Sequence, residues 1–590
     1  MKQIQKGGQT MKKIIVVAFL IIVLSTYSVA FGANWYVDNQ AAGVNNGTSW
    51  ANAWTSFAKI AWGATGVKAG DTLYISGGST SKTYNEQLKP NANGSSGAPI
   101  TIKAGQDYGH SGVVTIRSPQ SSGGIFINRS YITVNGNYNN LQHIRVTGST
   151  SHGVYVYDKP HHVVVTYLEI DNNGSVTGNN GIKINNSNVI DTPLLEISYC
   201  KVHNNWQDQI GGGWSSKKEF GRVLIHHNEI YELQDDGIET RGVGCDIYEN
   251  IMHDLSSGKG KGHPDGFVIM GNYGRMWNNI AYNLQNDINY TNAYFYINPW
   301  NDVPYGVENI LVYNNLAYQT IPTRTGDYAR GFEFSAQGTP ISISNVLIAN
   351  NTFVGMPAWG ANLIFFNLDA ASVKNVYFLN NIIYNCYRLS GGSVMIFGTG
   401  AYTVGSYGDN VSVVVDYNII NKGPTGKDNV NFKGKSLAHT NFKTNSATQK
   451  NITGNPDPKL DSQYRPTISA SAASLSSFIS TYQADKIIKS TFSPGATPVI
   501  ATVASTSTGT SGTSTGTSAT TTTAPSMTIP TVTTTTAPTV TTTTAPTVTT
   551  TTAPTVTTTT APTVTTTTAP KVTTTTTTKP KSTRGGWTIK

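Results

Sequence analysis

The chain has 590 residues, of which only 12% are charged, with 58 glycines and 30 tyrosines. That composition excludes coiled coils, helical bundles and charge-rich disorder for its middle and suits a turn-rich β protein. The formal charge of +9 belongs to the ends: nine of the 41 basic residues lie in the first 30 residues or beyond 500, leaving 32 basic against 32 acidic residues between them. A neutral middle excludes a nucleic-acid partner.

In chain order, residues 11–30 read Met-Lys-Lys, an apolar run from Ile14 to Leu24, and then Ser28-Val29-Ala30. This is the pattern of a secretory signal peptide (1–30), too short in its apolar core to span a bilayer of roughly 30 Å. An extracellular or cell-surface location and a monomeric state are expected. Residues 31–130 are expected to hold an N-terminal cap and the first coils. There Trp50, Trp54, Phe57, Ile60 and Ala61 recur at helical spacing after Thr48-Ser49, which predicts an amphipathic helical plug.

From 131 to 499 the sequence repeats. Ile225-His-His-Asn228, Ile247-Tyr-Glu-Asn250, Trp277-Asn-Asn279, Val312-Tyr-Asn-Asn315, Ile348-Ala-Asn-Asn351 and Phe378-Leu-Asn-Asn381 each end a short apolar strand in Asn, at intervals of 22, 29, 36, 36 and 30 residues. A second strand follows at a matching offset: Gly181-Ile-Lys-Ile, Gln209-Ile-Gly-Gly, Gly237-Ile-Glu-Thr, Gly266-Phe-Val-Ile, Ala293-Tyr-Phe-Tyr and Gly331-Phe-Glu-Phe. Two registers advancing together predict an all-β, single-stranded right-handed parallel β-helix, one coil per repeat. The Asn column is expected to stack inward and hydrogen-bond along the axis. Cys200, Cys245 and Cys386 are too few for a disulfide framework and are expected as buried free thiols. From 500 to 590 an Ala-Pro-Thr-Val-Thr-Thr-Thr-Thr repeat can bury no core and reads as an extended spacer, either a glycosylated stalk towards a cell surface or a plain linker.

Trp35-Tyr-Val-Asp, Asn45-Asn-Gly-Thr-Ser-Trp50, Ala69-Gly-Asp-Thr-Leu-Tyr-Ile75 and Pro99-Ile-Thr-Ile-Lys103 resemble the opening of secreted right-handed β-helix proteins of the pectin-lyase-like superfamily. Asn455-Pro-Asp-Pro-Lys-Leu-Asp461 is similar to their closing segment. The resemblance implies the fold, which carries lyases, hydrolases, epimerases and adhesins alike.

The residue before the second strand reads Asn180, Asp208, Asp236, Asp265, Asn292 and Arg330 down consecutive coils, with Asp235 and Glu239 beside it. Carboxylates on rungs about 4.8 Å apart repel and titrate as a set, which is how an acid and a base are made at one site. As turn dipeptides, Asn-Gly and Asp-Gly also simply close bends. Lys259, Lys261 and His263 lie on the segment feeding Asp265, and Trp206 and Trp214 flank Asp208 as platforms for sugar rings. Asp208, Asp235-Asp236 and His263 in that order resemble the polygalacturonase-like hydrolases, which implies acid and base roles for the aspartates and an assisting role for His263. The first expectation is therefore a glycoside hydrolase needing no cofactor. A second reading has Asp208, Asp236, Glu239 and Asp265 hold Ca²⁺ for β-elimination on a uronate polymer, with Lys259, Lys261 or His263 as base and Arg330 among the substrate contacts. A third is a non-catalytic surface adhesin. The expected partner in the first two is a polysaccharide.

Overall fold

The computed structural model describes residues 32–454 apart from breaks, chiefly 186–194, 213–222, 256–263, 285–291, 299–305, 321–328, 337–341 and 359–362, with only short pieces beyond 397. The leader, the Thr-rich tail and the segment from Asn455 onward lie outside the described residues.

One coil shows how the sequence builds the rest. Leu195–Ser198 buries Leu195 and Ile197 on one side, and a two-residue turn, Tyr199-Cys200, leads directly into Lys201–His203, which buries Val202. A longer bend then delivers Ile210–Gly212, and the chain returns to Val223–His226, which lies parallel on Leu195–Ser198. Repeating this step yields two sheets of 14 strands and one of 12. Among the described residues every strand pairing is parallel except two local hairpins, Asn137–Tyr138 with Leu141–Gln142 and Asp428–Phe432 with Lys435–Ala438. The chain is thus an all-β, right-handed parallel β-helix.

The sequence reading found two of the three strand registers. The missing one follows each column Asn at once: Glu229–Leu233, Ile251–Leu255, Ile280–Tyr282, Leu316–Tyr318, Thr352–Val354 and Ile382–Arg388. A turn of two residues, one in the left-handed region and then the column residue, bends the chain sharply enough to start a new sheet. Tyr199, His227, Glu249, Asn278, Asn314, Asn350 and Asn380 hold that bend, each with φ between 54 and 58°. Asn takes over this position in the later coils because its short polar side chain tolerates the left-handed region best.

The expected helical plug is absent. Residues 48–61 form turns, a bridge from Trp54 to Val37 and one short 3₁₀ turn, Phe57–Lys59. The backbone of this segment is committed to the first strand, Asn34–Val37: Tyr36 N–H bonds Gly47 O, Trp54 N–H bonds Tyr36 O and Asp38 N–H bonds Trp54 O. A helix would need those groups for itself. The aromatic side chains still close the barrel end, with Trp54 buried and stacked on Trp35 at 5.3 Å and Phe57 stacked on Tyr84 at 4.8 Å.

Inside, the third sheet stacks Ile125, Val154, Ile182, Ile210 and Ile238, and then Phe267, Phe295 and Phe332, all fully buried. Cys200, Cys245 and Cys386 are buried cysteines outside any disulfide, and burial pushes the Cys200 thiol up to about 12. The Asn column runs as expected and one rung further, through Asn418. Each Asn Oδ1 accepts both the backbone N–H and the Nδ2–H of the Asn on the preceding rung, at 2.9 to 3.1 Å. Each Nδ2 also donates to a strand carbonyl, as Asn279 does to Ile247 O at 2.9 Å.

Asn279→Ala removes the acceptor of the Asn250 backbone N–H and of one Asn250 Nδ2–H, and the side-chain donor to the Ile247 carbonyl. We expect a loss of about 3 kcal/mol, read as a lower denaturant midpoint. An unchanged midpoint would show that the column does not secure the turns.

Candidate functional site

The acidic residues cluster where the bend after the second sheet enters the third. Pairing of Ile182, Ile210, Ile238 and Phe267 on successive rungs sets Asn180, Asp208, Asp236 and Asp265 above one another, each two residues earlier. The next rung corrects the sequence reading. Phe267 pairs with Phe295, so Ala293, not Asn292, stands over Asp265, and Arg330 pairs with Ala293. Asn292 lies one residue off the column and donates from Nδ2 to Leu284 O at 3.2 Å.

Part of this column does turn chemistry. His152 Nδ1 accepts the Asn180 N–H at 3.0 Å, Asp236 Oδ1 accepts the Asp265 N–H at 3.0 Å, and Asp265 Oδ1 accepts the Ala293 N–H at 2.6 Å. Asp208 differs. Its Oδ2 accepts from Asn180 Nδ2 at 2.8 Å, while its buried Oδ1 has no hydrogen-bond partner among the described residues.

Glu239 is the outward residue of Ile238–Thr240, yet it is buried, and Arg241 Nε donates to its Oε1. One oxygen from each of Asp208, Asp236 and Glu239 lies within 4.8 Å of the other two. The opening that admits them is Gly211, which pairs with Glu239 on the next rung. A Cβ there would meet Asn180 Nδ2 at 2.1 Å and Asp208 Oδ2 at 2.3 Å, so Gly211 allows the Asp208 carboxylate to lie across the outer face of the sheet. Lys183 stands outward on the rung before Gly211.

Three buried carboxylates this close cannot all ionise unaided. Burial, then the charges of Glu239 and Asp235, hold Asp208 well above the usual carboxylate range, and Lys183 counters this in part. Burial, then Asp265, Glu239, Asp235 and Asp208, do the same to Asp236. An all-oxygen set of buried carboxylates with one unpartnered oxygen suits a hard cation of calcium's kind. A second acidic group among the described residues, Glu169, Asp171 and His203, is occupied from within: Arg145 Nε and Nη2 donate to the two oxygens of Asp171 at 2.8 and 2.7 Å.

Of the residues singled out in the sequence, Asp208, Asp236 and Glu239 come together, with Asp235 and Asp265 acting on them electrostatically. Trp206 is half-buried two residues before Asp208, its backbone N–H on Asn173 O at 2.9 Å. Arg330 is two rungs beyond Asp265; it pairs with Glu333, and its guanidinium lies 4.0 Å from the centre of the Phe365 ring. Trp214, Lys259, Lys261 and His263 lie outside the described residues. Sequence reading missed Gly211, Lys183 and His152. The Ile210-Gly-Gly strand, glycine-rich in its interior, was the signal for a close approach.

No protein-family model and no curated protein matches the sequence. By structure the chain is similar to a glycoside hydrolase family 136 lacto-N-biosidase from Eubacterium ramulus, with 12% identity and a TM-score of 0.46 over 66% of this chain and 67% of that one. It is also similar to a pectate lyase, with 17% identity and a TM-score of 0.35 over 55% of this chain and 79% of that one. A mannuronic acid-specific family 6 polysaccharide lyase from human gut microbiota matches with 14% identity and a TM-score of 0.31 over 55% and 78%. Each likeness is one of fold alone.

Because Asp208 and Asp236 are raised above their unfolded values, their ionisation opposes folding. Their stabilising, protonated state is complete below about pH 3.9 and is lost as pH rises through the raised values. In chelator, the thermal midpoint should therefore climb as pH falls from about 8 towards about 5, and Asp236→Asn should flatten that slope. A midpoint that ignores both pH and the substitution would contradict the buried charged cluster.

Proposed function

We propose that this chain is a polysaccharide-cleaving enzyme acting by β-elimination on a uronate-containing polymer, with Asp208, Asp236 and Glu239 as the residues that hold a calcium ion. The observation that carries this reading is the spacing of the three carboxylates. Oxygens within 4.8 Å of one another are closer than the roughly 5 to 5.5 Å of a retaining carboxylate pair or the 6.5 to 9.5 Å of an inverting one. A bound cation there would neutralise a uronate carboxyl and acidify the proton next to it. Asp208, with its unpartnered Oδ1, and Glu239, directed outward by the strand, present the cluster to the outer face of the third sheet. Asp236 is fixed by the Asp265 N–H. Asp265 and Asp235 add negative charge around the site, and Lys183 offers a counter-charge to an incoming uronate.

In this reaction a base takes the proton alpha to the carboxyl, the freed electron pair becomes the ring double bond, and the glycosidic oxygen leaves with its electrons. Lys259, Lys261 and His263 are the proposed bases, since they immediately precede Asp265 in the chain. An exported enzyme, with the Thr-rich tail as its spacer, completes the proposal.

Two measurements test it. Calcium should raise the thermal midpoint of the intact chain. Asp208→Asn and Gly211→Ala should abolish that shift, the latter because its Cβ displaces the Asp208 carboxylate. In digests of acidic and neutral polysaccharides, reducing ends should appear together with the ultraviolet absorbance of unsaturated uronate. Chelator should stop both, and Asp236→Asn or Glu239→Gln should slow them at least about 100-fold. Reducing ends without the absorbance, unaffected by chelator, would make the chain a hydrolase using carboxylates such as Asp208 and Asp265. No cleavage of any polymer would leave the rod-like adhesin.

A further inference from the structure

The outward face of the third sheet continues from the carboxylate cluster towards the N-terminal end of the helix. The register aligns Phe126, Tyr155, Lys183, Gly211 and Glu239 as outward residues on five successive rungs. The bridge between Leu88 and Ile125 places Lys89 on the rung before Phe126. At about 4.8 Å per rung this column is roughly 24 Å long.

Its side chains have a pattern. Phe126, Tyr155 and Tyr157 touch one another at centroid distances of 5.7, 5.9 and 5.3 Å, and Tyr157 is 42% exposed. Lys89 Nζ, exposed, lies 5.3 Å from the centre of the Phe126 ring. Tyr155 is fixed from two sides. Asn185 Nδ2 donates to its hydroxyl at 2.8 Å, and the His152 ring packs against it at 4.6 Å. His152 is buried and neutral near pH 7, held down to about 4 chiefly by burial and secondarily by Lys183. Beyond these rings come Lys183 and then Gly211, where the Asp208 carboxylate takes the place of a side chain just before Glu239.

We infer that Phe126, Tyr155 and Tyr157, bracketed by Lys89 and Lys183, form a binding track for an acidic polysaccharide that leads into the carboxylate cluster; this rests on the function proposed above. Half-exposed aromatic rings on an outer sheet face offer flat apolar surfaces to the C–H faces of sugar rings. The two lysines at the ends of the aromatic cluster match carboxylates carried along the same polymer. The rung spacing is close to the advance of one sugar along an extended chain, so one polymer can touch successive rungs. Continuity with the cluster sets its direction, along the helix axis.

The test separates binding from cleavage. The full-length Asp236→Asn chain is held in chelator, and its affinity for polygalacturonate and for the same polymer fully methyl-esterified is measured by affinity electrophoresis and calorimetry. The expected result is binding to the charged polymer at least about tenfold tighter than to the esterified one. Adding Phe126→Ala, Tyr155→Ala and Tyr157→Ala should weaken it roughly tenfold or more. Lys183→Gln should weaken it several-fold and reduce its dependence on salt. Tyr157→Ala alone, at an exposed ring, should weaken it measurably with an unaltered thermal midpoint, which guards against misfolding of the triple variant. Unchanged affinity in the Tyr157 and Lys183 variants would overturn the inference, as would equal binding of the esterified polymer or self-association of the chain through this face. If the polymer binds the track but the intact enzyme never cleaves it, the track stands and the lyase reading falls. If cleavage proceeds while the track variants bind normally, the lyase reading stands and the track falls.

Discussion

Each coil of this molecule must turn sharply inside its own core, and the turn leaves a backbone N–H pointing along the axis where no water can reach it. The column from Asn228 to Asn418 meets that constraint, because an amide side chain accepts from the rung behind while donating to the rung ahead and to a strand carbonyl. A single Asn thus ties three groups on neighbouring coils and secures the corner between the first two sheets from Asn228 onward. Coil length is free to vary from 22 to 37 residues because the extra chain leaves and returns without disturbing the turn.

The acidic site is an elaboration of the same constraint on another corner. At the bend into the third sheet a side-chain acceptor is again needed for the next rung's N–H, and His152, Asp236 and Asp265 each supply it. Aspartate at such a position therefore has a structural reason to be there before it has a chemical one. Chemistry enters where a rung exceeds the structural need. Asp208 lies over Gly211 with an oxygen left over, and Glu239 faces outward beside it. Two adjacent rungs then hold three carboxylates in a volume that burial makes costly to charge, a cost that the proposed cation would relieve.

The same register that gathers the charges also orders the surface leading to them. Because the outward positions of parallel strands fall directly above one another, aromatic residues separated by 29 residues in the chain, Phe126 and Tyr155, become neighbours on one face. Lys183 and Gly211 then follow without a change of direction. A β-helix converts sequence periodicity into a linear array, a geometry suited to a linear polymer.

The sequence by itself determined what is local to one coil: the Asn positions, the strands that precede them, the place of Asp208, Asp236 and Asp265 two residues before their strands' first inward side chain, and the cysteines, since each follows from a few consecutive residues and their spacing. Neighbouring coils decided the rest. Tyr294, Phe295 and Tyr296 are three aromatic residues in a row, so alternation cannot say which one faces inward, and only pairing of Phe295 with Phe267 put Ala293 rather than Asn292 in the column. Trp50, Trp54 and Phe57 have helical spacing, but a strand from elsewhere in the chain had already claimed the backbone between them. Gly211 has no side chain to announce a function, and its part in the site exists only because Asp208 and Asn180 occupy the space a Cβ would fill. Contacts between rungs depend on register, and register is a property of the stacked coils rather than of any one of them.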